Sequence, residues 1–153
     1  MMLLVVALIV FILDRISKML IQHNLALGEH VSVVGDLLWL DHSQNTGIAF
    51  SLATSHSSIV FVFDVLAILF ILYISRRVPK AETWLRLGLG LVLGGAIGNV
   101  VDRVLAGSVT DFIDFRVFPV FNVADSAITV GAVLIAWRLY ASSKQDSDDQ
   151  ATG

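Results

Sequence analysis

Trp84–Arg103 reads WLRLGLGLVLGGAIGNVVDR. From Leu87 to Val101 it holds no ionisable side chain, and it then closes on Asp102 and Arg103, with Asn99 a turn earlier. Gly90, Gly94 and Gly98 recur at four-residue intervals, flanked by Gly88 and Gly95. Glycines at that spacing let two membrane helices approach closely. The stretch predicts a helix at the centre of a membrane bundle, carrying a polar group at one end.

The rest of the chain agrees. Of 153 residues 56% are apolar and 15% charged, against roughly 45–50% and about 25% in a soluble domain. Mean hydropathy is +0.82. So short a chain cannot enclose that much apolar surface in its own core. This argues against a soluble enzyme and excludes intrinsic disorder. The absence of cysteine removes disulfides, thiolate metal sites and thiol nucleophiles. A net charge of −3 without a basic stripe argues against nucleic acid as a partner.

A crossing needs about 20 mostly apolar residues. Four segments qualify: 1–21, 57–75, 84–101 and 122–140. The first lacks a basic leading region and an A-x-A-like cleavage site, so it is expected to be a retained helix. Residues 1–141 are expected to form a single membrane-embedded domain, and the polar stretch 142–153 a disordered cytoplasmic tail. Arg76, Arg77, Lys80 and Arg86 lie between spans two and three, whereas Gln22–His56 holds no Lys or Arg. The positive-inside rule puts the basic connection and both termini in the cytoplasm. Stretches such as Val31-Ser32-Val33 and Leu38-Trp39-Leu40 alternate in polarity, which predicts a small β-rich platform over about 22–56 on the outer face. The expected fold is an all-α membrane protein of four transmembrane helices with that platform.

This topology sorts the polar residues by depth. Asp14, Arg15 and Lys18 fall at the outward end of span one, and Asn99, Asp102 and Arg103 at that of span three. Asn122, Asp125, Ser126 and Thr129 begin span four, and Asp111 and Asp114 lie in the connection before it. Ionisable residues in spans are costly and mark function by default. Acids and amides thus converge at one leaflet. No G-x-S-x-G elbow is present, and the histidines lack H-E-x-x-H spacing, so neither a serine nucleophile nor a metal is expected. Lys18 follows Asp14 by four residues and is expected to ion-pair with it. Two aspartates remain as the chemistry. Close together they share one proton near neutral pH; one can then take a proton from water while the other protonates a peptide carbonyl. Asp125 is one candidate, with Asn122 on the same helix face. Its partner is Asp102, Asp111 or Asp114, of which Asp102, next to Arg103, suits an ion-paired structural role better. Asp64 lies within span two, where a polar partner inside the bundle is expected.

These motifs resemble those of the lipoprotein signal peptidase (signal peptidase II) family over nearly the whole chain. Asp14-Arg15-Ile16-Ser17-Lys18 resembles the family's first box. Asn45-Thr46-Gly47-Ile48-Ala49-Phe50 resembles its N-T-G-x-A-F box, and Gly94–Arg103 its third. Val109–Asp114 and Phe121–Ser126 are similar to its two aspartate-bearing segments. The resemblance implies an aspartyl endopeptidase of the bacterial inner membrane. It would remove the signal peptide from diacylglyceryl-modified prolipoproteins by cutting before the lipidated cysteine, without a cofactor or metal, within the lipid bilayer, and it would be inhibited by globomycin. It implies Asp111 and Asp125 as the dyad, with Asp114 an extra acid. Asp14, Asn45, Asn99, Arg103 and Asn122 would line the site, supported by Lys18, Gly95 and Ala124. Structural roles are the alternative for several: an Asp14–Lys18 ion pair, Arg103 neutralising Asp102 or reaching headgroups, and Asn45 and Asn122 serving a turn and a helix cap. One departure is Gln44, where many members carry a basic residue. The rival class is a small proton-coupled transporter subunit, which would spread its acids across the membrane depth.

Overall fold

The computed structural model describes residues 1–46 and 56–152. Its elements are α1 (Met2–Asn24), β1 (His30–Val34), β2 (Leu38–Asn45), α2 (His56–Ser75), α3 (Thr83–Ala106), β3 (Val109–Asp114) and α4 (Val123–Thr152). The protein is mostly helical with a three-stranded antiparallel sheet in the order β1-β2-β3. Gly47-Ile48-Ala49-Phe50, part of the second box, lies outside the described residues.

α3 packs against α1, α2 and α4, and so is the central helix. Glycine makes this possible. A Cβ on Gly90 would lie 2.8 Å from the Leu3 carbonyl oxygen, and one on Gly94 would lie 2.5 Å from that of Ala7. On the opposite side, a Cβ on Gly131 of α4 would lie 2.7 Å from the Gly88 carbonyl oxygen. The helices touch backbone to backbone. Leu3, Ala7, Ile71, Leu89 and Leu93 form the apolar core at one end, and the polar residues gather at the other.

α3 and the segment Val123–Gln145 of α4 are long and apolar enough to cross a membrane, and Val60–Ser75 is a shorter apolar helix. α1 is interrupted by Asp14, Arg15 and Lys18, whose side chains turn inward or to partners on α3. Its other face exposes Leu4, Leu8, Ile12, Leu13, Ile16 and Leu20, and α2 exposes Phe63, Leu66 and Phe70. Apolar surface this continuous is foreign to a soluble monomer.

Two sequence expectations need correction in detail. The platform is not confined to 22–56: β3, from the connection before α4, pairs with β2. Its side chains are buried on both faces except at Ile113, so the alternation that reveals a half-exposed strand is missing. Helix α4 also continues beyond Tyr140 to Thr152, through the stretch expected to be disordered; no glycine or proline in 141–152 stops it. Between α3 and β3 the chain turns at Gly107, whose φ of 73° places it in the left-handed region that ends helices.

Gly94→Ala should destabilise the protein by ~1–2 kcal/mol, because overpacking against the α1 backbone exceeds the ~1 kcal/mol gained in helix propensity. Thermal unfolding in detergent micelles measures it, and an equal or higher midpoint would contradict the packing described.

Candidate active site

The polar end of the bundle is organised around Lys18. Its side chain and that of Asp14 are both 0% exposed, and its Nζ lies 2.8 Å from Asp14 Oδ2 and 2.8 Å from Asp102 Oδ2. It also donates to Asn99 Oδ1 at 3.0 Å. Arg15, on the next residue position of α1, pairs with the other oxygen of Asp102. Two acids and two bases thus close a neutral cluster between α1 and α3, the condition for burying ionised groups.

The second half of the site grows from the start of α4. Asn122 caps the helix: its Oδ1 accepts the Asp125 backbone N–H at 2.9 Å, satisfying one of the donors that a helix start leaves open. Its Nδ2 donates to Asp111 Oδ1 at 2.6 Å. Another open donor, the Ala124 N–H, reaches Asp14 Oδ1 at 3.0 Å. Ala124 is itself fully buried, against Gly95, where any Cβ would collide with the Ala124 carbonyl. At Gly98 a Cβ would lie 2.5 Å from Asp14 Oδ2. Small residues therefore admit the acid and the helix start to the same space.

The sheet supplies the remaining partner. Ser43 pairs with Asp111 and Asn45 with Val109, so Asn45 and Asp111 are diagonal neighbours on one face. Asn45 Nδ2 donates to Asp111 Oδ2 at 2.9 Å. Asn99 Nδ2 donates to Asp125 Oδ1 at 2.8 Å. Each of these two carboxylates is held by neutral amides, and Lys18 is engaged elsewhere. Burial pushes the Asp111 carboxyl up to about 6, with the Asn45 and Asn122 hydrogen bonds and the Lys18 charge opposing the rise and the Asp125 charge adding to it. A carboxyl so placed holds its proton close to neutral pH. Beside a second carboxylate it can act as acid or base.

Asp14, Lys18, Asn45, Asn99, Asp111, Asn122 and Asp125 therefore share one hydrogen-bonded network. Gly95 and Ala124 shape it sterically. Arg103 stands apart: its guanidinium pairs with Asp64 of α2 at 2.5 Å, neither neutralising Asp102 nor touching the two amide-held acids. That pair also answers what faces Asp64. Asp114 likewise turns away, accepting the Arg116 backbone N–H at 2.6 Å. Asn122 serves as both cap and carboxylate donor, so its structural and functional readings coincide. Sequence reasoning missed Arg15 as the partner of Asp102 and Gln22, whose amide donates to Thr110 at 2.7 Å. Both link positions far apart in the chain and carry no local signal.

Comparison with known proteins agrees over the same span. A family model described as Signal peptidase (SPase) II matches residues 6–141. The lipoprotein signal peptidase of Moorella thermoacetica is 40% identical over 136 residues, covering 89% of this chain and 91% of its own length. The protein of the same name from Pseudomonas aeruginosa (strain UCBPP-PA14) is 42% identical over 148 residues, covering 91% and 88%. A bacterial membrane enzyme solved by the in meso method at 2.3 Å resolution superposes with a TM-score of 0.85 at 28% identity, over 94% of this chain and 90% of that one.

The Asp111 proton carries a stability signature. Its pKa of about 6 in the folded state exceeds the ordinary 3.8, so the folded protein binds that proton more tightly than the unfolded chain. The contribution is fully present below the ordinary value and is lost as pH rises through about 6. The difference in unfolding midpoint between wild type and Asp111→Asn should therefore change across that window and flatten outside it. Asn45→Ala, which removes a donor to the carboxylate, should extend the window upward. Thermal unfolding across pH 3–8 checks both, at roughly half-unit steps.

Proposed function

Because the chain belongs to the signal peptidase II family, we propose that the paired acids Asp111 and Asp125 are the catalysts with which it removes signal peptides from prolipoproteins. The reaction is a membrane-embedded peptidase's; the aspartic chemistry is our reading. The observation that carries it is Asn122, which grips Asp111 with its amide while capping the Asp125 N–H with its oxygen. One side chain thus holds both acids in a common frame.

In this mechanism the pair carries one proton. The ionised carboxylate accepts a proton from water as the water oxygen attacks the scissile carbonyl carbon. The protonated carboxyl gives its proton to the carbonyl oxygen. The tetrahedral diol then collapses: its C–N bond breaks, the amine nitrogen leaves with the proton taken from water, and one diol hydroxyl returns its proton to the carboxylate that had protonated the carbonyl oxygen. No covalent enzyme intermediate forms. Asn45 and Asn99 orient the acids without supplying a cation that would strip the shared proton.

We extend the reading to the setting. Four helices cross the inner membrane with both termini cytoplasmic, and the sheet and acids meet the outer leaflet. A diacylglyceryl group on the substrate cysteine anchors the peptide there, and remote lipid binding positions the bond for attack. Cleavage falls just before that cysteine, and globomycin occupies the same space. The clustering of acids at one end, with Asp64 neutralised by Arg103, favours hydrolysis at a surface over a proton path through the bilayer.

With a lipid-modified precursor and gel mobility as the assay, Asp111→Asn and Asp125→Asn should each lower cleavage by at least ~10³-fold while the protein still folds. Asp114→Asn should keep substantial turnover. Asp102→Asn, which leaves Lys18 and Arg15 short of a partner, should instead cost ~3 kcal/mol of stability. Near-normal turnover by well-folded Asp111→Asn would overturn the dyad. Reporter fusions at Lys80 and Gly35 should fall on opposite sides of the membrane, and fusions on the same side would reject the four-span arrangement.

A further inference from the structure

Arg116 is, among the described residues, the one non-glycine with a positive φ, at 63°. Left-handed backbone at a residue this large persists only where the surroundings over-determine it. They do so from two sides. The Arg116 N–H donates to Asp114 Oδ1 at 2.6 Å, and its Nε lies 3.3 Å from Asp114 Oδ2. Its guanidinium carbon sits 4.1 Å from the centroid of the Trp39 ring. Trp39 lies on β2 directly opposite Asp114 and meets the His30 ring of β1 at 5.5 Å. Arg116 thus fastens the loop after β3 back onto the sheet.

That loop builds a wall beside the site. Its base is closed by Phe121, whose N–H donates to Ile113 at 3.1 Å and whose carbonyl accepts from Phe112 and Ile113 at 2.9 and 2.8 Å. Phe115 stacks on Phe121 at 6.0 Å, and Phe118 meets the same ring edge-on at 6.1 Å. Across from the three rings stand Asp125, Thr129 and Val130 of α4, and the cavity between has a volume of about 400 Å³. An apolar cavity with a carboxylate at its edge suits an alkyl group carried next to a scissile bond.

We propose that Arg116 is a positioning residue: clamped over Trp39, it holds the aromatic wall in place beside Asp125, and the cavity so formed takes an alkyl group of the substrate. The proposal rests on the peptidase reading above. The alkyl group comes from an acyl chain of the lipid or from an apolar side chain of the signal peptide, and the test separates the two.

Steady-state cleavage of the lipid-modified precursor is measured for Arg116→Ala, Trp39→Leu and the double variant. Each single change should raise KM about threefold to tenfold with kcat nearly unchanged, and the double should be no worse than either, because both remove one contact. Arg116→Gly, which relaxes the backbone but lacks the guanidinium, should lose as much as Arg116→Ala, while Arg116→Lys should recover part. Val130→Phe fills the cavity without touching the clamp and should raise KM alike. Shortening the acyl chains in one arm, and the apolar peptide side chains in the other, should abolish the Val130→Phe penalty in the arm that supplies the occupant. A penalty unchanged in both arms, additive singles, or wild-type KM in Arg116→Ala would overturn the proposal. With Trp84 and Trp137 replaced by Phe, Trp39 emission should shift to the red in Arg116→Ala. No shift would defeat the clamp regardless of activity, whereas a shift in an enzyme that never cleaves the precursor would locate the failure in the peptidase reading.

Discussion

A lysine ammonium with no exposure to solvent is tolerable only if its charge is answered at contact distance. Lys18 meets that demand with Asp14, Asp102 and Asn99 together. The consequences reach through the fold. Asp14 must lie against α3 where Gly98 leaves room, and its second oxygen then receives the start of α4 at Ala124. Asn99, turned by Lys18 through its oxygen, presents its amide to Asp125. Stranding a buried charge costs about 3–5 kcal/mol, far more than a surface ion pair returns. The cluster therefore dictates the relative placement of α1, α3 and α4 more firmly than apolar packing between smooth helices would.

Held in that frame, the two proposed catalysts differ in support. Asp125 belongs to a helix whose first turn is tied to α1, so its position follows the bundle. Asp111 belongs to a strand, gripped from one side by the sheet through Asn45 and from the other by the helix cap Asn122. Sheet and bundle meet at this carboxylate. Neutral amides do the gripping: their hydrogen bonds temper the rise that burial causes and the neighbouring acid adds to, without a cation in contact to cancel it.

Much of this was legible in the residues. The glycine ladder of Trp84–Arg103 announced a central helix, and the depth of Asp14, Asn99 and Asn122 announced a polar layer, since both follow from local periodicity and hydropathy. Which acid stands beside Asp125 as its proposed partner was not legible from spacing alone: Asp111 and Asp114 are three positions apart on a short strand, and only the pairing with β2 decides which faces Asn45. β3 itself hid because burial on both faces erases its alternation. Arg103 was read with its chain neighbour Asp102, yet its partner is Asp64 on another helix. Adjacent residues on a helix point about 100° apart, so adjacency in sequence favoured the wrong pair.

The sheet also dictates an order of assembly. β2 is followed by α2 and α3 before its partner β3 enters the chain. While the polypeptide is being synthesised, the β1–β2 hairpin must present an open edge, because β3, the strand that pairs with β2 there, begins only at residue 109. Every earlier stage of synthesis thus lacks both Asp111 and Asp125, together with the sheet pairing that holds Asp111. On the reading proposed above, the site is completed only when Asn122 closes on the finished strand and Asp125 follows, so a chain that ends before residue 125 lacks part of it.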